Sequence, residues 1–208
     1  MIDLQSLAVF FTASLLLAVA PGPDNIFVLT QSAVNGRMAG IKVTLGLCTG
    51  LSIHTMAVTF GVAAVFRASV AAFTVLKLVG ACYLIYLAVQ AFRASGAAGK
   101  AGMPPAPGSW QLYRRGIIMN VTNPKVSIFF LAFLPQFADP ARGPLAAQLI
   151  LLGGVFIAAT LIVFGSISLL SGAVGEAMAG SRRARRILNR IAGSVFALLA
   201  IRLATSQR

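Results

Sequence analysis

Acidic residues are almost missing: the 208-residue chain has four Asp and Glu in all, one His and two Cys. So thin a supply leaves little for a metal centre, which needs several such ligands gathered in one place. Cys48 and Cys82 form no CxxC pair and have no His cluster, so both read as structural thiols. HExxH, nucleophile-elbow and Walker-type strings are also missing. The chain therefore reads as a non-enzyme that needs no cofactor. Charge of either sign is scarce as well, at 10% of residues against 58% hydrophobic. A soluble domain carries about 25% charged residues. The mean hydropathy of +0.89 excludes an ordinary soluble globule.

What is present is apolar length. Six weakly charged stretches recur, at Leu4–Val34, Val43–Phe66, Val70–Phe92, Gly116–Phe137, Leu145–Ser171 and Ile187–Ala204. Each is close to or above the roughly 20 residues that a helix needs to cross a bilayer. None alternates as a membrane β-strand would. The expected fold is an all-α membrane protein of six transmembrane helices. The small residues Ala18–Ala20 resemble a leader cleavage site, yet no basic residue precedes the apolar run and cleavage would leave Pro21 first. A retained Met1 is expected.

The net charge of +13 suggests nucleic acid until the charges are placed. Arg37 and Lys42 flank the first connection. Arg93, Lys100, Arg114 and Arg115 lie in or beside the third, and Arg182, Arg183, Arg185 and Arg186 in the fifth; the second offers Arg67 and the fourth Arg142. That alternation is a topology signal and not a nucleic-acid footprint. It puts connections one, three and five in the cytoplasm and both termini outside. The run RRARR also suits anionic headgroups, and Lys77, near the outer end of its span, snorkels. The third connection is small, Gly- and Pro-rich and polar, which is the composition of a linker. The chain therefore divides into a first three-helix repeat at 1–92, a cytoplasmic linker at 93–115 and a second three-helix repeat at 116–208. An odd number of spans in each half makes the two repeats inverted.

Both repeats open on an interrupted span. If wholly helical, the first would reach about 46 Å, well beyond a hydrocarbon core of about 30 Å. Pro21 and Pro23 each delete a helical N–H, and Gly22 removes the steric objection to a bend. In the fourth span Asn123 followed by Pro124 is a favoured helix start, Asn as N-cap and Pro at the first helical position. Pro23 can be read the same way, with Asp24 in its first turn. Interrupted helices at matching places in inverted repeats point to a transporter site. Half-helix N-termini suit a carboxylate, and freed carbonyls with Asp24 suit an ammonium. Such a site matches a zwitterion, though an ion or another small polar solute would use the same parts.

PGPDN at residues 21–25, GLSIH at 50–54, KLVGACYLIYL at 77–87 and NPKVSIFFLAFLPQF at 123–137 together resemble the LysE/RhtB family of bacterial amino-acid exporters. The resemblance runs over essentially the whole chain. It implies a multi-pass protein of the bacterial inner membrane that exports amino acids of the threonine, homoserine, leucine or lysine class at the expense of the proton-motive force. GLSIH and the KxxGAxYLxxL pattern look more like the homoserine/threonine branch than the lysine one.

The candidate substrate-binding residues are Asp24, Asn25, Asn120, Asn123 and Lys125. A carboxylate at membrane depth costs several kcal/mol, which makes Asp24 functional by default, although it can also complement a helix dipole. Lys125 lies too deep to snorkel easily and is expected to partner Asp24 or to receive the substrate carboxylate. Asn120 and Asn123 can equally cap backbone. His54, with Asp24, is a candidate proton relay, against the plainer reading of hydrogen-bonded packing. The Gly46-x-x-x-Gly50 spacing admits a close helix, within the chain or across a homo-oligomer seam. The expected partners are an amino-acid substrate and the lipid bilayer. Two rival functions remain. A divalent-cation efflux carrier is short of acids and would be repelled by Lys125. A membrane thiol electron carrier would want cysteines beside the breaks, where Asp24 and Lys125 stand instead.

Overall fold

The computed structural model describes residues 2–68, 70–93, 108–171 and 182–205, and every regular element among them is helical. The elements are α1 (Leu4–Val19), α2 (Pro23–Asn35), α3 (Arg37–Ala68), α4 (Val70–Arg93), α5 (Ser109–Val121), α6 (Pro124–Ile128), α7 (Leu145–Leu169) and α8 (Arg182–Thr205). Between α6 and α7 run a π-helical turn at Phe129–Phe133 and 3₁₀ turns at Leu134–Phe137 and Pro140–Arg142. Pro135 has no N–H to return to the carbonyl of Leu131, and the helix widens into the π turn just ahead of it.

Two described segments, Arg37–Gly61 of α3 and Leu145–Leu169 of α7, are each long and apolar enough to cross a membrane unaided. Two bent pairs are long and apolar enough only when each is taken together: α1 meets α2 at 62°, and α5 meets the run Pro124–Phe137 at 50°. Helices α4 and α8, of 24 residues each, pack chiefly on one another. Helix α5 starts at Ser109, ahead of the expected Gly116. Trp110 stacks on Tyr113 with ring centroids 5.5 Å apart, and Arg114 and Arg115 follow, so the helix continues through a stretch suited to the headgroup layer. The side chains of Lys77, Arg182, Arg183 and Arg185, and the whole of Lys100, lie outside the described residues.

Small residues let the central helices touch. Gly46 on α3 faces Gly116 on α5, and a methyl group on either would collide with the other helix's backbone. One turn further on, a Cβ at Gly50 would lie 2.6 Å from Asn120 Oδ1. The glycine seam is therefore occupied inside the chain. Lys42 Nζ donating to Ser109 Oγ at 2.6 Å and a 2.8 Å bond between the Thr49 and Tyr113 hydroxyls hold the same pair together. Helices α2 and α3 are joined through Gly36, whose φ of +83° is a left-handed value that favours glycine.

The core has two parts. A larger one, rich in Phe10, Phe129, Phe130, Phe133, Phe137 and Phe156, fills the end near Asp3 and Arg142. A smaller one around Val28, Val43, Leu47, Leu112 and Phe164 fills the opposite end. Outside these, large apolar side chains such as Ile26, Phe60, Ile162 and Leu198 are exposed, as a surface bathed in hydrocarbon permits. The polar site lies where the two cores meet.

Candidate functional site

Helix α1 ends inside the bundle, and its last carbonyls need donors that Pro21 and Pro23 cannot supply. Ala20 N–H returns to Leu16 O at 3.0 Å. Side chains serve three of the carbonyls beyond it. Asn25 Nδ2 donates to Ala18 O at 2.7 Å, and Lys125 Nζ donates to Leu17 O at 3.3 Å and to Ala20 O at 3.0 Å. The ammonium that closes the first break thus comes from the residue just after the second break's proline.

Gly22 permits this by having no side chain. A Cβ there would lie 3.1 Å from Lys125 Nζ. Its backbone, at φ −166° and ψ 179°, is extended in a way any residue can adopt. The expectation that Gly22 eases a sharp bend is therefore corrected: what it provides is space for the lysine.

The second break closes largely on itself. Helix α5 ends with Thr122 N–H on Ile118 O at 2.9 Å and Asn123 N–H on Asn120 O at 3.0 Å. Asn123 then caps α6, its side-chain oxygen accepting from Lys125 N–H at 3.0 Å, with Pro124 at the first helical position. His54 of α3 is buried against this turn, Nε2 lying 3.2 Å from Asn120 O and the ring centroid 5.6 Å from that of Phe130.

Asp24 sits in the first turn of α2, 3% exposed, facing the Lys125 ammonium and the side-chain amides of Asn123 and Asn120. No contact within 4.0 Å joins the Asp24 and Lys125 charges. Both line one cavity of about 20 Å³, together with Asn120, Thr160, Phe156 and Phe164. That is room for about one water, so the space beside its polar groups is narrow. Three polar atoms of its lining residues, Asp24 Oδ1, Asn120 Oδ1 and Thr160 Oγ1, are buried with no hydrogen-bond partner, as are Asn25 Oδ1 and Asn123 Nδ2 at the two breaks. Unsatisfied buried polar atoms cost free energy and are kept where something else uses them.

All five candidate binding residues therefore lie at or between the two breaks. His54 stands behind the second break and does not line the cavity. Thr160 also lines the cavity; in the sequence a lone threonine in an apolar helix has no distinguishing neighbour. Cys48 is half-buried and Cys82 exposed, both as free thiols, and among the described residues no three His, Cys, Asp or Glu side chains gather.

Two bent helix pairs meeting at a small cavity walled by Asp24 and Lys125, inside a bundle with apolar outer faces, fit a polytopic membrane protein of the broken-helix kind. The chain matches the LysE type translocator family over residues 15–207 and belongs to it. It is 33% identical over 198 residues to the homoserine/homoserine lactone efflux protein of Salmonella typhimurium, covering 95% of both chains. To the leucine efflux protein of the same species it is 26% identical over 200 residues, 95% of this chain and 94% of the other. An uncharacterized membrane protein of Vibrio cholerae is 27% identical over 205 residues, 99% of each. No solved structure matches. The chain is a multi-pass protein of the bacterial inner membrane.

Proposed function

We propose that this protein exports small amino acids, homoserine and threonine ahead of lysine, and that the proton-motive force drives it. The observation that carries the reading is Lys125, which belongs to one broken helix and caps the carbonyl end of the other. Family membership and the efflux relatives support it. So does the shortage of buried acids that a dibasic cargo would need beyond Asp24.

The proposed architecture is six spans in two inverted halves, 1–92 and 116–208, joined by a cytoplasmic linker. The Asp3 and Arg142 end faces outward. The substrate ammonium takes Asp24 Oδ1, which has no partner at rest. Its carboxylate draws Lys125 away from the carbonyls of Leu17 and Ala20. Binding thereby removes the bonds that tie α1 to the second break, and the two halves are free to move. Protonation of Asp24 from outside, with His54 as candidate relay, releases the cargo. A divalent cation would meet the Lys125 charge in the same cavity.

Counterflow into proteoliposomes loaded with one amino acid at a time tests this. Homoserine and threonine should exchange. Exchange of lysine or arginine alone would overturn the substrate class, and indifference to a proton gradient would overturn the coupling.

A further inference from the structure

Buried hydroxyls in these helices usually bond the carbonyl one turn back. Ser14 does so to Phe10, Ser32 to Val28, Thr44 to Gly40, Thr55 to Leu51 and Ser168 to Phe164, at 2.7 to 2.9 Å. Thr160, in the middle of α7 and 2% exposed, does not; its Oγ1 has no hydrogen-bond partner. Thr59 shares that condition but does not line the cavity, whereas Thr160 does. A threonine that leaves the carbonyl four residues back unused keeps both its donor and its acceptor for whatever enters the space beside it.

The rest of the wall says what that is. Asp24 and Lys125 carry the charges that an amino group and a carboxylate need, so the two ends common to every amino acid are provided for. Phe156 and Phe164, one turn to either side of Thr160 on α7, and Leu17 and Leu51 opposite are apolar. They leave Thr160 Oγ1 and the unpartnered Asn120 Oδ1 as the polar atoms available to a side chain. A wholly aliphatic cargo would bury both unsatisfied.

We propose that Thr160 is a specificity-determining residue, its Oγ1 hydrogen-bonding the side-chain hydroxyl of a small hydroxylated amino acid whose charged ends are held by Asp24 and Lys125. This rests on the reading of the cavity as an amino-acid site. A pocket built to bond a substrate hydroxyl discriminates strongly against the analogue that lacks it, because its own polar groups are then left unpaired.

The test uses the full chain in proteoliposomes and compares threonine with valine, and homoserine with norvaline, each pair differing by a hydroxyl replaced with a methyl group. The unaltered protein should favour the hydroxylated member of each pair. Thr160→Val should lower the threonine-to-valine ratio by about tenfold, and Thr160→Ser should keep it. A ratio taken within one preparation does not depend on how much of a variant inserts. If Thr160→Val fails to insert at all, the unaltered protein and Thr160→Ser still decide. Equal carriage of threonine and valine by the unaltered protein, equal losses of both in Thr160→Val, or a collapsed ratio in Thr160→Ser would each overturn the assignment. Absence of counterflow for every amino acid would instead overturn the functional reading beneath it.

Discussion

The two helix breaks solve one problem in opposite ways. At the second, Asn123 caps the new helix, Pro124 occupies the position where its missing N–H does no harm, and the old helix closes through its own backbone. At the first, Gly22 offers no side-chain cap, and the carbonyls of Leu17 and Ala20 are held by a lysine more than a hundred residues away in the chain. A break that closes locally is a fixed joint. One closed by a distant ammonium can open when that ammonium finds a better partner, and in the proposed mechanism this difference makes the first break the moving part.

Replacing the lysine should hurt most. Lys125→Met removes two charge-assisted bonds, each of a kind contributing about 1.5–3 kcal/mol, and should abolish most counterflow. Asp24→Asn should do nearly as much. The double variant should be no worse than the poorer single, since residues acting as a unit are not additive. Multiplicative losses would mean that the two charges work at separate places, and near-normal efflux by a well-inserted Asp24→Asn protein would overturn the proposed binding of the substrate ammonium at Asp24.

Next comes the space the lysine occupies. Gly22→Ala puts a methyl group 3.1 Å from an ammonium pinned between two carbonyls. It should slow counterflow about fivefold, roughly 1 kcal/mol on the barrier, and Gly22→Val should slow it further. An unaffected Gly22→Val would show that Lys125 is not pinned in the working protein.

The local caps are worth less to transport. Asn123→Ala should lower thermal stability in detergent by about 1 kcal/mol, the usual worth of an N-cap. It should leave more transport than Asn25→Leu, which orphans the buried carbonyl of Ala18. The reverse order would make the second break the moving one.

The smallest effect belongs to the far end of α1. There Asp3 accepts from Ser6 N–H at 2.8 Å and from Arg142 at 2.8 Å. The Ser6 backbone bond, ahead of the Arg142 charge, holds the Asp3 carboxyl below its ordinary value of 3.8. A depressed carboxyl supports the fold at neutral pH, and that support fades as pH falls through its folded-state value. Melting of the detergent-solubilised protein should therefore differ slightly between the unaltered chain and Asp3→Asn at pH 7, and the gap should narrow as the medium is acidified below the ordinary carboxyl value of 3.8. A gap that persists in acid would assign the effect to packing.

Much of the architecture could be read in advance because it depends on short range. Apolar length indicates crossing segments, proline deletes N–H groups wherever it stands, and Asn before Pro starts a helix from its own two residues. The bends at Pro21 to Pro23 and at Asn123 to Pro124 follow from rules that span about four residues. What fills the orphaned positions does not. Leu17, Ala18 and Ala20 carry the same carbonyl as any residue, and nothing near them in the chain names Lys125 as the donor. His54 and Asn120 are individually ordinary, and only the close approach of α3 and α5 at Gly46 and Gly116 sets one behind the other. Gly22 looks like a hinge in one dimension and proves to be a vacancy for a lysine in three. Sequence by itself determined where the helices stop, because that is a matter of local hydrogen bonding. The tertiary structure alone decided which charges, hydroxyls and carbonyls share the narrow space between them, because that is settled by packing between segments with no covalent reason to meet.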